Sequence, residues 1–388
     1  MDFEMPESTL LFEHEVESLL TGERTRELLR ICRRREDGMD GDVRPLYRHL
    51  GAAGVLAPSW PAEFGGRGED FTATVALLEQ MIRHGIPQSL CYISVQIVGS
   101  LVLAAGTPEQ KRTLLPRLAR CETTACILLT EPEHGSDLAS VTTSATRDDT
   151  DGSWTLNGRK TYSLKSGYAD IGLCAVRTAD SGSRYEALTL FLVPLDAPGV
   201  TVRSMPSLSD EQFHDIGLTD VRLSSDSVFG EVGAGWGLLT RMFAAERSGL
   251  DYYVRARAWI ELVEDRLLAG GRTPGESELA SLARMQARVA ASRLLTCRAL
   301  QRLQDDEPDI AEASQAKWHC SETSQAVAWR ALDMLGADVL VPPYDYDDAP
   351  LEAAYREAPG MTISGGASEV QLDIVSGARL HDQLRTGG

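Results

Sequence analysis

The chain has 388 residues, a formal net charge of −19 and seven cysteines, enough length for two or three packed units but the wrong charge for a surface that neutralises nucleic-acid phosphates. It has no run of about 18 apolar residues to span a membrane, and its acidic, amphipathic start, MDFEMPESTLLFEHEVESLL, lacks the basic and apolar regions of a signal peptide. The cysteines, at 32, 91, 121, 126, 174, 297 and 320, show no C-x-x-C spacing and the histidines no H-x-x-H, so a cytoplasmic protein without disulfides or metal is expected.

From about residue 8 to 123 apolar residues recur at helical spacing, with loops expected at APSWPAEFGGRGED and AGTPEQ. RTRELLRICRRRED (24–37) is a basic, amphipathic helix that reads as a solvated face or as a docking surface for an acidic partner. Lysine is scarce, confined to Lys111, Lys160, Lys165 and Lys317. Between about 127 and 230 the pattern turns to short β segments, SWTLNGRKTYSL, IGLCAVRT, ALTLFLVPL and GVTVRSM, parted by Gly, Asp, Asn and Pro turns. They predict a small antiparallel barrel or sandwich of about 100 residues. Helical spacing then returns in ESELASLARMQARVAASRLLTCRALQRL and ASQAKWHCSETSQAVAWRALDML, which read as antiparallel helices of a bundle, with a polar loop at YDYDDAPLEAA. The expectation is an α+β protein: an N-terminal helical domain over 1–123, a β-barrel over 124–232 and a four-helix bundle over 233–388.

In LLTRMFAAERSGLD (238–251) Leu239, Met242, Phe243, Glu246 and Leu250 share one side of a helix, which turns a carboxylate into an apolar stripe. Glu246 there is either half of an ion pair with Arg247 or a neighbouring helix, or a general base with a pKa raised by burial. GEVGAGWG (230–237) lacks the βαβ context of a phosphate loop, and GAAGVLAPSWPAEFGG (51–66) reads equally as a helix C-cap and turn. LLTEPEHGSD (128–137), followed by LNGRKTYSLKSG (156–167), is more specific.

These strings, with TPEQKRTLLPRL, GLTDVRL, GAGWGLL, YREA and GGASEVQ in order, resemble the flavin-dependent acyl-CoA dehydrogenases along nearly the whole chain. The resemblance implies a helical domain, β-barrel and four-helix bundle, with FAD between barrel and bundle beside the TEP and RKTYSL segments. It implies that Thr130 bonds the flavin's pyrimidine end, Ser136 meets the cofactor pyrophosphate or the substrate's phosphopantetheine arm, and Tyr162 stands where a tryptophan usually packs on the ring. Leu164 replaces the usual threonine facing flavin N5, Arg266 fits the cross-subunit cofactor arginine by spacing with Arg272 second, and Gly336 alone remains of a glycine-rich cofactor contact.

Family members usually carry their base in a C-terminal E-G-T string. Here the matching position, nine residues after Arg356, is Gly365, while a minority places the glutamate before an arginine on the earlier helix, as Glu246 and Arg247 stand here. The resemblance thus implies that Glu246 takes the proton, that Arg247 anchors substrate or secures the helix, and that the Gly365 N–H donates to the thioester carbonyl. It implies desaturation of a short- or medium-chain acyl thioester on CoA or on acyl carrier protein, with polyketide-associated members as one model. A flavoprotein or other electron acceptor and a homodimer or homotetramer are implied with it. Leu164 and Gly365 suggest a shift to the γ,δ bond; the alternatives are a flavin monooxygenase of the same fold and a scaffold that has lost its flavin.

Overall fold

The computed structural model describes residues 6–33, 41–178, 183–209, 211–269, 274–339 and 350–386. Arg272, most of the YDYDDAPLEAA segment and the end of the basic patch, Arg34 to Asp37, lie outside them. Two compact units divide the chain, one of residues 1–74 and 87–242, the other of residues 75–86 and 243–388.

The first unit opens with helices α1 (Glu7–Thr21), α2 (Glu23–Arg33), α3 (Arg44–Ala52) and the start of α4 (Phe71–Arg83). Next come α5 (Ser89–Cys91), a π-helical stretch (Tyr92–Gly99), α6 (Ser100–Ala105) and α7 (Pro108–Ala119). AGTPEQ is only partly the loop expected of it. Thr107 Oγ1 accepts from the Gln110 amide at 3.1 Å and Gln110 Oε1 accepts from the Thr107 amide at 3.1 Å, so TPEQ is a capping box with Pro108 in the first turn of α7.

The sheet contains β1 (Ala125–Leu128), β2 (Ser144–Arg147), β3 (Trp154–Leu164), β4 (Ile171–Arg177), β5 (Leu188–Pro194), β6 (Val200–Met205), β7 (Phe213–Leu223) and β8 (Val228–Phe229). Its order is β6-β7-β3-β2-β4-β5-β8, with β1 added alongside β4. It wraps one apolar core that includes Leu128, Trp154, Leu156, Val176, Phe191, Ile216 and Val221. The β segments named above are strands; β1, β2, β7 and β8 were not foreseen. The sheet is not wholly antiparallel either, since β1 and β2 each pair β4 in parallel.

The NGRK string is explained within this sheet. Asn157 is bonded to Asp220, and Arg159 pairs with Asp215 at 2.7 Å. A Cβ on Gly158 would lie 2.4 Å from Thr143 Oγ1, so only glycine lets β2 approach.

The second unit is helical. It contains the last turn of α8 (Gly235–Glu246), from Phe243 on, then α9 (Leu250–Ala269), α10 (Glu276–Gln304), α11 (Ile310–Leu335), α12 (Pro350–Met361) and α13 (Ser368–Thr386). Helix α11 is its hub, packing against α9, α10, α12 and α13. Of the four lysines, Lys160, Lys165 and Lys317 are fully buried. Among the described residues, no helix is long and apolar enough to cross a membrane.

Candidate functional site

LLTRMFAAERSGLD is not one helix, as the apolar stripe predicts. Helix α8 stops at Glu246, and α9 starts at Leu250. The Arg247 amide still bonds to the Phe243 carbonyl, the Ser248 amide bonds to the Ala245 carbonyl, and Gly249 at φ +82° turns the chain. Leu239, Met242 and Leu250 are buried as expected, but the carboxylate stands at a helix end.

Helix α12, the loop to α13 and the starts of α9 and α11 bring further groups to Glu246. A Cβ built on Gly365 would lie 3.1 Å from Tyr252 Oη, 3.7 Å from Glu246 Oε1 and 3.8 Å from Lys317 Cε. These side chains therefore converge on the place a side chain at 365 would take. Gly365 and Gly366 hold φ of +66° and +99°, a left-handed backbone that favours glycine. The loop is tied down by Gln371 Nε2, which donates to the carbonyls of Gly365 (3.3 Å) and Gly366 (3.1 Å). Arg247 Nε also donates to the Gly365 carbonyl at 3.2 Å while its guanidinium lies over the Phe243 ring. The Gly365 N–H finds no acceptor among the described residues.

Glu246 keeps a limited opening to solvent and makes no hydrogen bond through its carboxylate among the described residues. Loss of hydration to the surrounding protein pushes its pKa above the ordinary carboxyl value, with the charges of Arg247 and Lys317 pulling the other way. Lys317 Nζ donates to the Met361 carbonyl at 3.1 Å and lies 5.3 Å from the centre of the Tyr252 ring. Burial lowers the Lys317 amine to about 8, against the opposing pull of Glu246. Tyr252 Oη donates to the Ser364 carbonyl at 3.1 Å, and burial raises its phenol. A desolvated carboxylate near an uncommitted backbone N–H can remove a proton from carbon and stabilise the oxyanion that results.

Thr130, Ser136, Tyr162 and Leu164 belong to the first unit. The Thr161 amide bonds to the Thr130 carbonyl and Ser163 Oγ donates to the Ile127 carbonyl, which lays the TEP stretch against β3. Thr130 Oγ1 has no partner among the described residues. A register shift between Lys160 and Ser163 puts Tyr162 at φ +53° and throws its ring outward, 63% exposed. An unpaired hydroxyl and an outward ring set by a bulge fit a planar heteroaromatic cofactor. Leu164 is half-buried at the end of β3, and Ser136 is exposed on the loop after Glu131.

Glu131, in the middle of that string, was not singled out. Its carboxylate accepts from the amides of Thr142 (2.7 Å) and Thr143 (2.8 Å), from Thr142 Oγ1 (2.8 Å) and from Lys160 Nζ (2.9 Å). Burial alone would raise its pKa, but Lys160 and these donors bring it down to about 2.

Arg266 is half-buried in the last turn of α9, and Gly336, at φ +67°, ends α11. Gly336 lies about 28 Å along that helix from Lys317, so it is not part of the Glu246 cluster. Tyr252 and Lys317 were missed. Lys317 does have a sequence signal, because Ala313, Lys317, Cys320 and Ser324 form a stripe at helical spacing and all are buried.

Family models for the acyl-CoA dehydrogenase N-terminal, middle and C-terminal domains match residues 12–122, 126–221 and 233–380. The chain is 30% identical over 340 residues to acyl-CoA dehydrogenase IpdE1 of Mycobacterium tuberculosis, covering 86% of each chain. It is 28% identical to the human mitochondrial short-chain specific acyl-CoA dehydrogenase, over 85% of this chain and 81% of that one. A solved structure titled Tcur3481-Tcur3483 steroid ACAD superposes with a TM-score of 0.87 at 27% identity, covering 98% of this chain and 99% of that one.

Proposed function

The chain belongs to the acyl-CoA dehydrogenase family, FAD-dependent flavoproteins acting on CH–CH bonds of acyl-CoA, and on that premise we propose that it desaturates an acyl thioester with Glu246 as the base. The observation that carries this reading is the convergence of Glu246 Oε1 on the side-chain position of Gly365. A carboxylate arriving from α8 reaches the place that a carboxylate at 365 would fill.

In this reading Glu246 removes the proton α to the thioester carbonyl, its raised pKa suiting it to a weakly acidic C–H. The Gly365 N–H donates to the thioester oxygen as enolate charge develops there. Arg247 secures the loop through the Gly365 carbonyl, which aims that N–H. Bound FAD supplies the acceptor for the hydride equivalent leaving the β carbon. Thr130 and Tyr162 would hold its ring, Ser136 the pyrophosphate or the pantetheine arm, and Arg266 and Gly336 its more distant contacts, with Leu164 bordering the ring.

Anaerobic reduction of the flavin-loaded protein by acyl-CoA tests the base. Glu246→Gln is expected to keep its yellow colour and slow flavin reduction by about two to four orders of magnitude; undiminished reduction would remove Glu246 from the role.

The thioesters to compare are short- and medium-chain acyl-CoAs, the same chains on acyl carrier protein, and a ring-bearing acyl-CoA, the last because a structural neighbour is titled a steroid enzyme. Leu164 stands where a threonine usually faces the ring and Gly365 carries no side chain, so a shift of oxidation to the γ,δ bond is part of the proposal. Mass spectrometry of products from saturated and 2-enoyl thioesters tests it, and reaction with the saturated chain alone would rule the shift out. A monooxygenase needs no base, so oxygen incorporation that persists in Glu246→Gln would favour that alternative.

A further inference from the structure

A lysine buried beside a carboxylate needs a reason. Lys317 is 0% exposed and the Met361 carbonyl is its one hydrogen-bond acceptor among the described residues. Its ammonium faces the Tyr252 ring, and its Cε stands 3.8 Å from the same side-chain position at 365 on which Glu246 converges. The carbonyl and ring alone are a thin reason to bury a full charge.

We propose that Lys317 is a positioning residue for Glu246, a buried ammonium held by the Met361 carbonyl and the Tyr252 ring that keeps the carboxylate ionised and able to accept a proton. The proposal rests on the reading of Glu246 as the base.

Arg247 acts on Glu246 more strongly. Its guanidinium stays charged at any working pH and is occupied by the Gly365 carbonyl and the Phe243 face, so its influence is constant. Lys317, lowered to about 8 by burial, titrates within the working range. Glu322 of α11 and Glu369 of α13 join Glu246 in favouring its charged form, and Arg247 opposes it; Asp251 and Arg255 of α9 act on the neighbouring Tyr252. Protonation of Glu246 and deprotonation of Lys317 are therefore coupled. When the carboxylate takes the substrate's proton, Lys317 loses its strongest counter-charge and holds its own proton less tightly.

The test uses Lys317→Met and Lys317→Gln in the flavin-loaded protein, the second retaining a donor for the Met361 carbonyl. The pH dependence of flavin reduction is one readout. The other needs no turnover: the carboxylic C=O infrared band of Glu246, assigned by its absence in Glu246→Gln and titrated without substrate. Both midpoints are expected to move up by about one pH unit in both variants, with reduction about tenfold slower below the limb and little changed above it. An unmoved infrared midpoint in either folded variant, with reduction slowed equally at every pH, would overturn the proposal and leave Lys317 a tether for the end of α12. Should Glu246→Gln reduce flavin normally, the base reading falls on that result, and the infrared midpoints still report whether Lys317 sets the charge of the carboxylate.

Discussion

Lys160 and Lys317 are each buried near a glutamate, with opposite results. In the sheet, Glu131 receives two amides, a hydroxyl and the Lys160 ammonium, and is held down to about 2. In the helical unit, Glu246 has Arg247 and Lys317 nearby but no hydrogen bond among the described residues, and is pushed up. A cation in direct contact together with donors to both oxygens decides whether a buried carboxylate is a structural anion or a base ready for a proton. Every acceptor site filled by the fold is one less for chemistry.

The sharpest break in this comparison is the loss of each carboxylate in turn. Glu246→Gln is expected to cost two to four orders of magnitude in flavin reduction, as argued above, without loss of stability, because no hydrogen bond is lost. Next in size is Lys160→Met, which strands an ionised Glu131 in the sheet and should cost about 3–5 kcal/mol in denaturant unfolding. Lys317→Met, the same exchange in the helical unit, should change stability by about 1 kcal/mol or less, because Glu246 can escape by taking a proton. A loss as large as that of Lys160→Met would erase the distinction.

Acid titration sharpens the contrast. The Glu131 pKa is lowered in the fold, so its contribution to stability is complete above about 4.5 and is lost as pH falls towards about 2. Glu246 has a raised pKa, so its contribution is present below the ordinary carboxyl value and is lost as pH rises through the higher one. Glu131→Gln should therefore flatten the acid limb of the unfolding curve, and Glu246→Gln should stabilise more at neutral pH than at pH 4. Gly365→Ala should cost about 1–2 kcal/mol for a left-handed backbone; its methyl would also meet Tyr252 Oη at 3.1 Å and slow flavin reduction.

The order of helices, strands and helices was legible because periodicity survives in long elements such as α10, α11 and β3. β1 and β2, four residues each, are too short to show a period, and β7 carries its Gly and Asp inside the strand, where they read as turns. Glu246 was legible as an acidic residue among apolar neighbours, but its position at a helix end depends on the Gly249 turn. Thr130 and Tyr162 were found through the ordered strings, whereas the bulge that exposes Tyr162 appears only in strand register. Lys317 and Tyr252 approach Gly365 from two helices far off in sequence, a convergence that local spacing does not encode.

The lysine inventory also bears on how the protein can be handled. With Lys160, Lys165 and Lys317 enclosed, Lys111 near the start of α7 is the one lysine side chain open to amine-directed reagents while the fold is intact. Among the lysines, acylating dyes or activated resins should single out Lys111, and a rise in labelling would report opening of either unit.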